Sequence, residues 1–472
     1  MSNVWTVARQ MIAEGIRMKV ALVFLLLIGA VVLGLPFSIE GDHSVSGAVQ
    51  SFMSYAFTAT AVLLGMLAIF LARSLSDELV HRQIFFVMTK PVARWQYILG
   101  KWLGIALLNT AFLAGAGLAV YGMVQYIRYT RTYIDPKYDE GKLTKEILVA
   151  RHAIRIKLPD FTREADAEFE RNMEAGVYED NIKNNPRFKL AEEKQRLAKK
   201  REAMWRVVGP NAVRVFEFEH LLVRRGKGSF IQFRYKTDVA NPPSDEVLRA
   251  RFVFGNTFKG TPEFEVPVRH FIGRYQTMAL PASCVAKDQT LTVRFYNTNP
   301  YPGEPKHPAV MQFLAANEVE VLFVVGTFGG NLLRLLALMQ CKLMFLAAVG
   351  VLMTTWLSFP VAALASFTIY VLAGTRGFIT DALDLNLGDS AGMFTSVKDF
   401  LLQTFALVYN GVLMVIPDFS RFDAVESFVN GRNVPLVWVL QAVTELAGMK
   451  TAIALGVAML LFHRRELAEV SL

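Results

Sequence analysis

Residues 71–104 read LARSLSDELVHRQIFFVMTKPVARWQYILGKWLG, and the fold turns on how this stretch is placed. It follows one apolar run, Phe52 to Leu71, and leads into a second, Trp102 to Val124. Ser74 stands three residues before Asp77, the pattern of a helix N-cap with an acidic group in the first turn. Val80, Ile84, Val87 and Met88 then recur at helical spacing, leaving Glu78, His81 and Arg82 to the other faces. Pro91 removes a backbone donor and pushes Lys90 out of the helical region, so the spacing predicts a first helix ending near Thr89. A second short helix is predicted from about Val92, carrying Arg94 and Lys101 towards the membrane surface. The stretch is therefore expected to be a basic elbow on the cytoplasmic side, tethered at both ends to membrane-spanning helices. An ordinary basic loop obeying the positive-inside rule would have a similar composition.

The chain has 472 residues, 53% hydrophobic and 19% charged, with positive mean hydropathy. Several apolar runs approach the ~20 residues needed to cross hydrocarbon, which places the chain among integral membrane proteins. The net charge of +9 lies largely beside the apolar runs, where lipid and topology account for it, and no basic stripe interleaved with aromatics points to nucleic acid. Cys284 and Cys341 are too far apart in sequence to suggest a disulfide framework.

The run Val20 to Phe37, preceded by Arg9, Arg17 and Lys19, is expected to be a retained first span starting in the cytoplasm. The loop Ser38 to Gln50 has no Lys or Arg and suits the outer side. Gly100-x-x-x-Gly104 and Ala114-Gly-Ala-Gly117 are small-residue patches expected to serve packing within the bundle. From Tyr126 to Val208 the chain is charged and helix-prone, including the solvated run 191–202. From Gly209 the pattern alternates with period two, in 213–219, 230–235, 249–254 and 290–296, separated by turn clusters. This predicts a β-sandwich within an α+β insert, residues 126–330, and the odd number of spans before it places the insert outside the cytoplasm. Phe230, Tyr235, Phe252, Phe254, Phe271 and Tyr275 sit at strand spacing and are expected in its core.

Re-entry is expected near Leu332, with Leu332 to Met339 lying at the outer surface because Gln340 and Lys342 interrupt the run. Leu343 to Leu357 then leads inward, Val361 to Ala373 outward, and Gly374 to Lys398 is loop-like. Phe400 to Ile416 is apolar but carries Gln403 and Asn410. The last run, Leu446 to Phe462, ends in the basic flank 463–465, so parity favours six spans, with 400–416 at the outer interface or re-entrant.

The elbow resembles that of ABC-2-type ABC transporter permeases. The resemblance rests on Glu78-Leu-Val-His-Arg-Gln-Ile, Lys90-Pro-Val-Ala-Arg94 and Ile98-Leu-Gly-Lys-Trp-Leu-Gly104. Arg82-Gln83 replaces the family's Gly-Thr or Arg-Thr, and Ala93 its frequent Ser. The turn 355–360, the segment Ile416-Pro-Asp-Phe-Ser-Arg-Phe-Asp423 and the ending 461–467 are similar to the same family, so both membrane halves, 1–125 and 331–472, take part. The resemblance implies a six-span helical bundle that is the permease subunit of a pump, most simply an exporter of a lipid, glycan or other amphiphile. It also implies an ATPase-coupling elbow over 72–101, for which Asp77, Glu78, Arg82, Lys90, Pro91, Arg94 and Lys101 are the candidate residues. A second permease copy, homo- or heterodimeric, and residence in the cytoplasmic membrane with both termini inside complete the expectation.

The chain has no phosphate-cradling G-x-x-x-x-G-K-[ST] loop: Gly255-Asn-Thr-Phe-Lys-Gly260 lacks the ending. HExxH and CxxC are missing from the sequence too, and the seven histidines have no ligand-like spacing. Any ATP and Mg would then be bound by a separate cytoplasmic ABC ATPase, and no cofactor is expected here. Lys342, Lys450 and Glu445 are ionisable residues at membrane depth, and Glu445 with Lys450 are candidates for a translocation path. Two other readings stay open. The chain is a membrane-anchored extracytoplasmic binding or sensor protein, or a mechanical transmitter whose partner's ATP hydrolysis moves the external domain. That domain's ligand would be a periplasmic partner or a glycan, and the bundle's solvent is membrane lipid.

Overall fold

A computed structural model describes residues 2–39, 44–81, 92–130, 136–156, 158–178, 190–223, 229–239, 247–299, 309–313, 318–388 and 417–464. The chain divides into a helical unit, residues 1–150 with 326–472, and a β-rich unit, residues 151–325.

The helical unit opens with α1 (Ser2–Arg17), which the apolar pattern had not announced because only one face, including Val7, Ala8 and Met11, is buried. The first span, α2 (Lys19–Ser38), follows after a single-residue break at Met18. The second, α3 (Val45–Leu71), begins where Ser44 accepts a hydrogen bond from Gly47 N at 2.9 Å. The buried Asp139 carboxylate accepts from Val45 N at 2.7 Å and Ser46 N at 3.0 Å, so an anion completes the positive end of the helix. Asp139 comes from α6 (Pro136–Lys142).

The elbow differs from its expected form. Ser74 caps nothing: Ala72 is itself helical and α4 (Arg73–Val80) continues almost directly from α3. The end predicted at Thr89, together with Arg82, Lys90 and Pro91, lies outside the described residues. The short helix expected from Val92 is instead the first turns of α5 (Arg94–Thr130), one 37-residue helix that includes the third span. Intrahelical hydrogen bonding continues through the polar turns because Arg94, Gln96 and Lys101 find partners elsewhere in the bundle.

After β1 (Val149–Arg155), the charged region forms α7 (Thr162–Glu174) and α8 (Leu190–Trp205), tied by Arg201 to Glu164 and Glu168. The remaining strands are β2 (Val207–Val208), β3 (Val213–Phe218), β4 (Phe230–Tyr235), β5 (Asp238–Val239), β6 (Val247–Phe254), β7 (Phe264–Phe271), β8 (Gln276–Pro281), β9 (Leu291–Asn297), β10 (Met311–Gln312) and β11 (Val319–Thr327). They make three sheets, ordered β1-β11-β4-β8, β2-β10-β5 and β3-β9-β6-β7. Pairing is antiparallel from β6 with β7 and β9 to β4 with β8 and β11. Phenylalanines from the two four-stranded sheets meet in one core: Phe233 of β4 lies 6.2 Å from Phe218 of β3 and 5.2 Å from Phe252 of β6, ring centre to ring centre. Tyr235, Phe252 and Phe254 are buried as their alternation predicts, whereas Tyr275 is half-exposed and covers the Arg234 guanidinium at 4.1 Å. The glycine pair 255 and 260 frames the β6–β7 connection, where both adopt positive φ. Burial pushes the Cys284 thiol up to about 11.

The second membrane half corrects three expectations. Leu332 to Met339 is not a separate surface helix but part of α9 (Phe328–Trp356), a continuous 29-residue span started by Thr327, whose Oγ1 accepts from Gly330 N. The loop expected after Ala373 is helical to Gly388, because α10 (Phe359–Gly388) runs on past its apolar portion. The final span begins well before Leu446, as α12 (Leu436–Ala442), a π-helical stretch Val443–Lys450, and α13 (Thr451–Arg464) in unbroken succession. A short α11 (Val425–Val429) precedes it, and residues 400–416 lie outside the described residues. Six helices among the described residues are long and apolar enough to cross a membrane, in agreement with the parity argument.

Candidate functional site

The functional interest of the helical unit lies where α4 meets the start of α5. In α4, residues four apart share a face. Arg73 and Asp77 form a solvent-exposed pair at 3.1 Å, while Ser74 and Glu78 turn inward and are buried. Tyr97 and Lys101, also four apart, project from α5 into the same interior.

Lys101 sits at the centre, 1% exposed. Its Nζ donates to Glu78 Oε1 at 2.7 Å, Ser74 Oγ at 2.7 Å and Glu14 Oε2 at 3.1 Å, using all three ammonium protons. The Tyr97 hydroxyl donates to the other Glu78 oxygen. Two carboxylates thus converge on one ammonium, joining α1, α4 and α5 through charged hydrogen bonds in a water-poor setting. A buried charge is tolerated only when partnered like this.

Close backbone packing makes the arrangement possible. A Cβ on Gly100 would lie 2.6 Å from Val7 Cβ, and one on Gly104 would lie 2.6 Å from Met11 Cβ and 2.8 Å from the Ala8 carbonyl. The Gly100-x-x-x-Gly104 pattern is therefore the seat of α1, and it brings Glu14 within reach of Lys101.

Arg94 ties the same corner to the end of the chain. Its Nη1 donates to the carbonyls of His463 at 2.7 Å and Phe462 at 3.4 Å, capping the negative end of α13. The Tyr97 ring stacks on Phe462 with centroids 5.9 Å apart.

The candidate elbow residues thus separate into two groups. Asp77 remains at the surface, with its side chain 43% exposed. Glu78, Lys101 and Arg94 were expected to face a partner but are engaged inside the bundle: their charges are neutralised by side chains and a helix end that no local pattern brings together. Ser74, Tyr97 and Glu14 were not singled out as members. The i,i+4 spacing of Ser74 with Glu78 and of Tyr97 with Lys101 was the available signal, but pairing the two helices needed the tertiary structure.

The other candidates occupy the second half. Glu445 pairs with Lys450 at 3.5 Å and with Arg421 at 3.9 Å, so these residues form a partly exposed ion triad. Lys342 stands apart, on the wall of a cavity of about 460 Å³.

Two comparisons bear on these residues. No curated protein matches the chain. Residues 5–141 match the family described as ABC-2 family transporter protein, an interval that contains Glu14, Ser74, Glu78, Arg94, Tyr97, Lys101 and Asp139. The N-terminal part of this multi-pass membrane protein is thus an ABC-2 family transporter protein domain.

Proposed function

We propose that the chain is the membrane permease subunit of an ATP-driven transporter, and that residues 72–101 pass the motion of a separate cytoplasmic ABC ATPase into the bundle. The observation that carries this is the Lys101 cluster together with the Arg94 cap. A force applied to α4 cannot be absorbed locally, because α4 is held by charged hydrogen bonds to α1 and α5, and α5 is held to α13. The elbow and three spanning or flanking helices therefore move as one body, as a lever between two bundle states requires. Asp77, His81 and the segment from Arg82 through Lys90 and Pro91 form the contact surface, while Glu78, Lys101 and Arg94 transmit. ATP and Mg reside in the partner ATPase, and a second permease copy completes the pathway. Three membrane-length helices precede the β-rich unit, which, with a cytoplasmic N-terminus, supports the reading of that unit as an extracytoplasmic sandwich. Export of a lipid, glycan or other amphiphile across the cytoplasmic membrane is the direction that the resemblance implies.

The existence of a separately compact unit of residues 151–325 favours a second reading, in which the partner's ATP hydrolysis moves that unit and nothing crosses the bilayer.

Affinity purification of the tagged chain from mild detergent, followed by an ATPase assay, tests the proposal. We expect an ATP-hydrolysing subunit to co-purify with the wild type and to be lost with Asp77→Lys. Recovery of the chain alone, stable and inert, would reject coupling and leave a membrane-anchored binding protein.

A further inference from the structure

The cavity beside Lys342 lies within the helical unit, between α3, α9, α10 and the turn at 419–426. Its lining is apolar over Leu338, Leu343, Leu346 and Phe422 and carries three charged residues, Lys342, Asp423 and Glu426. Lys342 is the middle residue of α9, fourteen positions from either end. A 29-residue helix is about 43 Å long, so wherever a 30 Å hydrocarbon core is drawn across it, Lys342 lies at least about 8 Å inside. That is too deep for its ammonium to reach the interface along its own stem, and an ionisable group so placed points to a ligand or a path.

Its surroundings give it no direct ion pair among the described residues. The Nζ lies 5.8 Å from the centre of the Phe419 ring. Among the described residues no carboxylate comes within 4.0 Å, although Asp423 and Glu426 share the same cavity. The Asp423 carboxylate accepts from Val425 N at 3.2 Å, which anchors it within the 419–426 segment. The cavity is thus lined by one basic residue, from α9, and by two acidic residues, from the 419–426 segment.

We propose that this cavity binds a zwitterionic amphiphile, its anionic group at Lys342, its ammonium at Asp423 and Glu426, and the start of its hydrocarbon chain along the leucines. An anionic headgroup alone would meet the two carboxylates and a simple cation would meet Lys342, so the wall charges reject each. A volume of about 460 Å³ takes a headgroup with the first part of a chain. The rest passes out between Thr58 and Val62, which are exposed on α3. That this ligand is cargo rests on the permease reading; the binding itself does not.

Full-length protein in phosphatidylglycerol nanodiscs, doped with a photo-crosslinking phosphatidylethanolamine or with a phosphatidylglycerol probe bearing the same tail, tests the site by peptide mapping of adducts. We expect the ethanolamine probe to label the α9 and 419–426 peptides about tenfold more than the glycerol probe. Asp423→Asn should remove that preference and Lys342→Met should lower labelling by both probes, while labelling of the outward face of α2 around Leu26 stays constant and reports an intact bundle. Equal labelling by both probes, preference for the glycerol probe, a preference that survives Asp423→Asn, or labelling by both probes unchanged in Lys342→Met would overturn the assignment. No ATPase takes part, so the result stands whether or not a partner subunit co-purifies.

Discussion

Replacing Lys101 by Met removes the ammonium on which Glu14 and Glu78 converge, while keeping an unbranched apolar side chain of similar length. Glu78 has only 9% of its side chain exposed, so it would be left as a buried carboxylate whose remaining partner is the Tyr97 hydroxyl. Breaking one side of a buried ion pair costs about 3–5 kcal/mol. Glu14 is one-third exposed and rehydrates, which puts the expectation at the lower end of that range. The detergent-solubilised variant should melt about 5 °C lower than the wild type. Removing the matching charge should restore most of this loss: Lys101→Met combined with Glu78→Met should melt well above Lys101→Met alone, because an apolar pair of similar volume replaces a charged one. The decisive measurement is the double-mutant cycle, read by thermal unfolding of the membrane protein, with partner-coupled ATPase activity measured alongside. The restored variant should keep its stability but lose stimulated ATPase activity, because the charged link from the elbow to α1 and α5 has gone. A single variant as stable as the wild type, or a double variant no more stable than the single, would refute the reasoning.

Other expectations follow from packing and charge. Gly104→Leu places side-chain atoms where Met11 and the Ala8 carbonyl already lie, and it should cost about 1–3 kcal/mol and free α1 from α5, seen as faster proteolysis within residues 2–17. Gly255→Ala meets both a φ of +98° and the Pro262 carbonyl, which lies against the added Cβ, and it should destabilise the β-rich unit by about 1–3 kcal/mol or more in a melting experiment. Hydrogen bonds from Thr290 hold the Asp288 carboxyl below its ordinary range, and the Arg294 hydrogen bond does the same for Glu263. Both groups therefore contribute stability that is complete above the unfolded carboxylate range near about pH 4 and is lost as pH falls through their lower folded values. Asp288→Asn should flatten that acid limb in a pH series of melting temperatures, and an unaltered limb would remove Asp288 from the account.

The legible parts of the molecule were those written in local periodicity. The span α2 coincides closely with its apolar run, and strands β3, β4, β6 and β9 fall where alternation placed them. Strands β1 and β11 escaped notice because their polar and apolar residues do not alternate cleanly, whereas β7 and β8 do alternate and were within reach of the same signal. Lys342 broke α9 in the sequence reading but not in the structure, because a charge that opens into a cavity does not interrupt a helix. The same holds for the polar entry to α5, where Arg94 and Lys101 are satisfied by residues hundreds or tens of positions away.

By itself the sequence determined the class of the protein, the apolar runs behind the membrane-length helices among the described residues, and the alternating strands of the inserted unit. These follow from composition and from periods of 3.6 and 2.0 residues, which each segment carries within itself. Only the tertiary structure decided which elbow charges face outward and which turn in. Asp77 and Glu78 are neighbours of the same charge, and the sequence treats them alike. One is exposed beside Arg73 and the other is buried against Lys101, because the 100° step between adjacent residues of a helix sends them to different environments once α5 and α1 have packed against it.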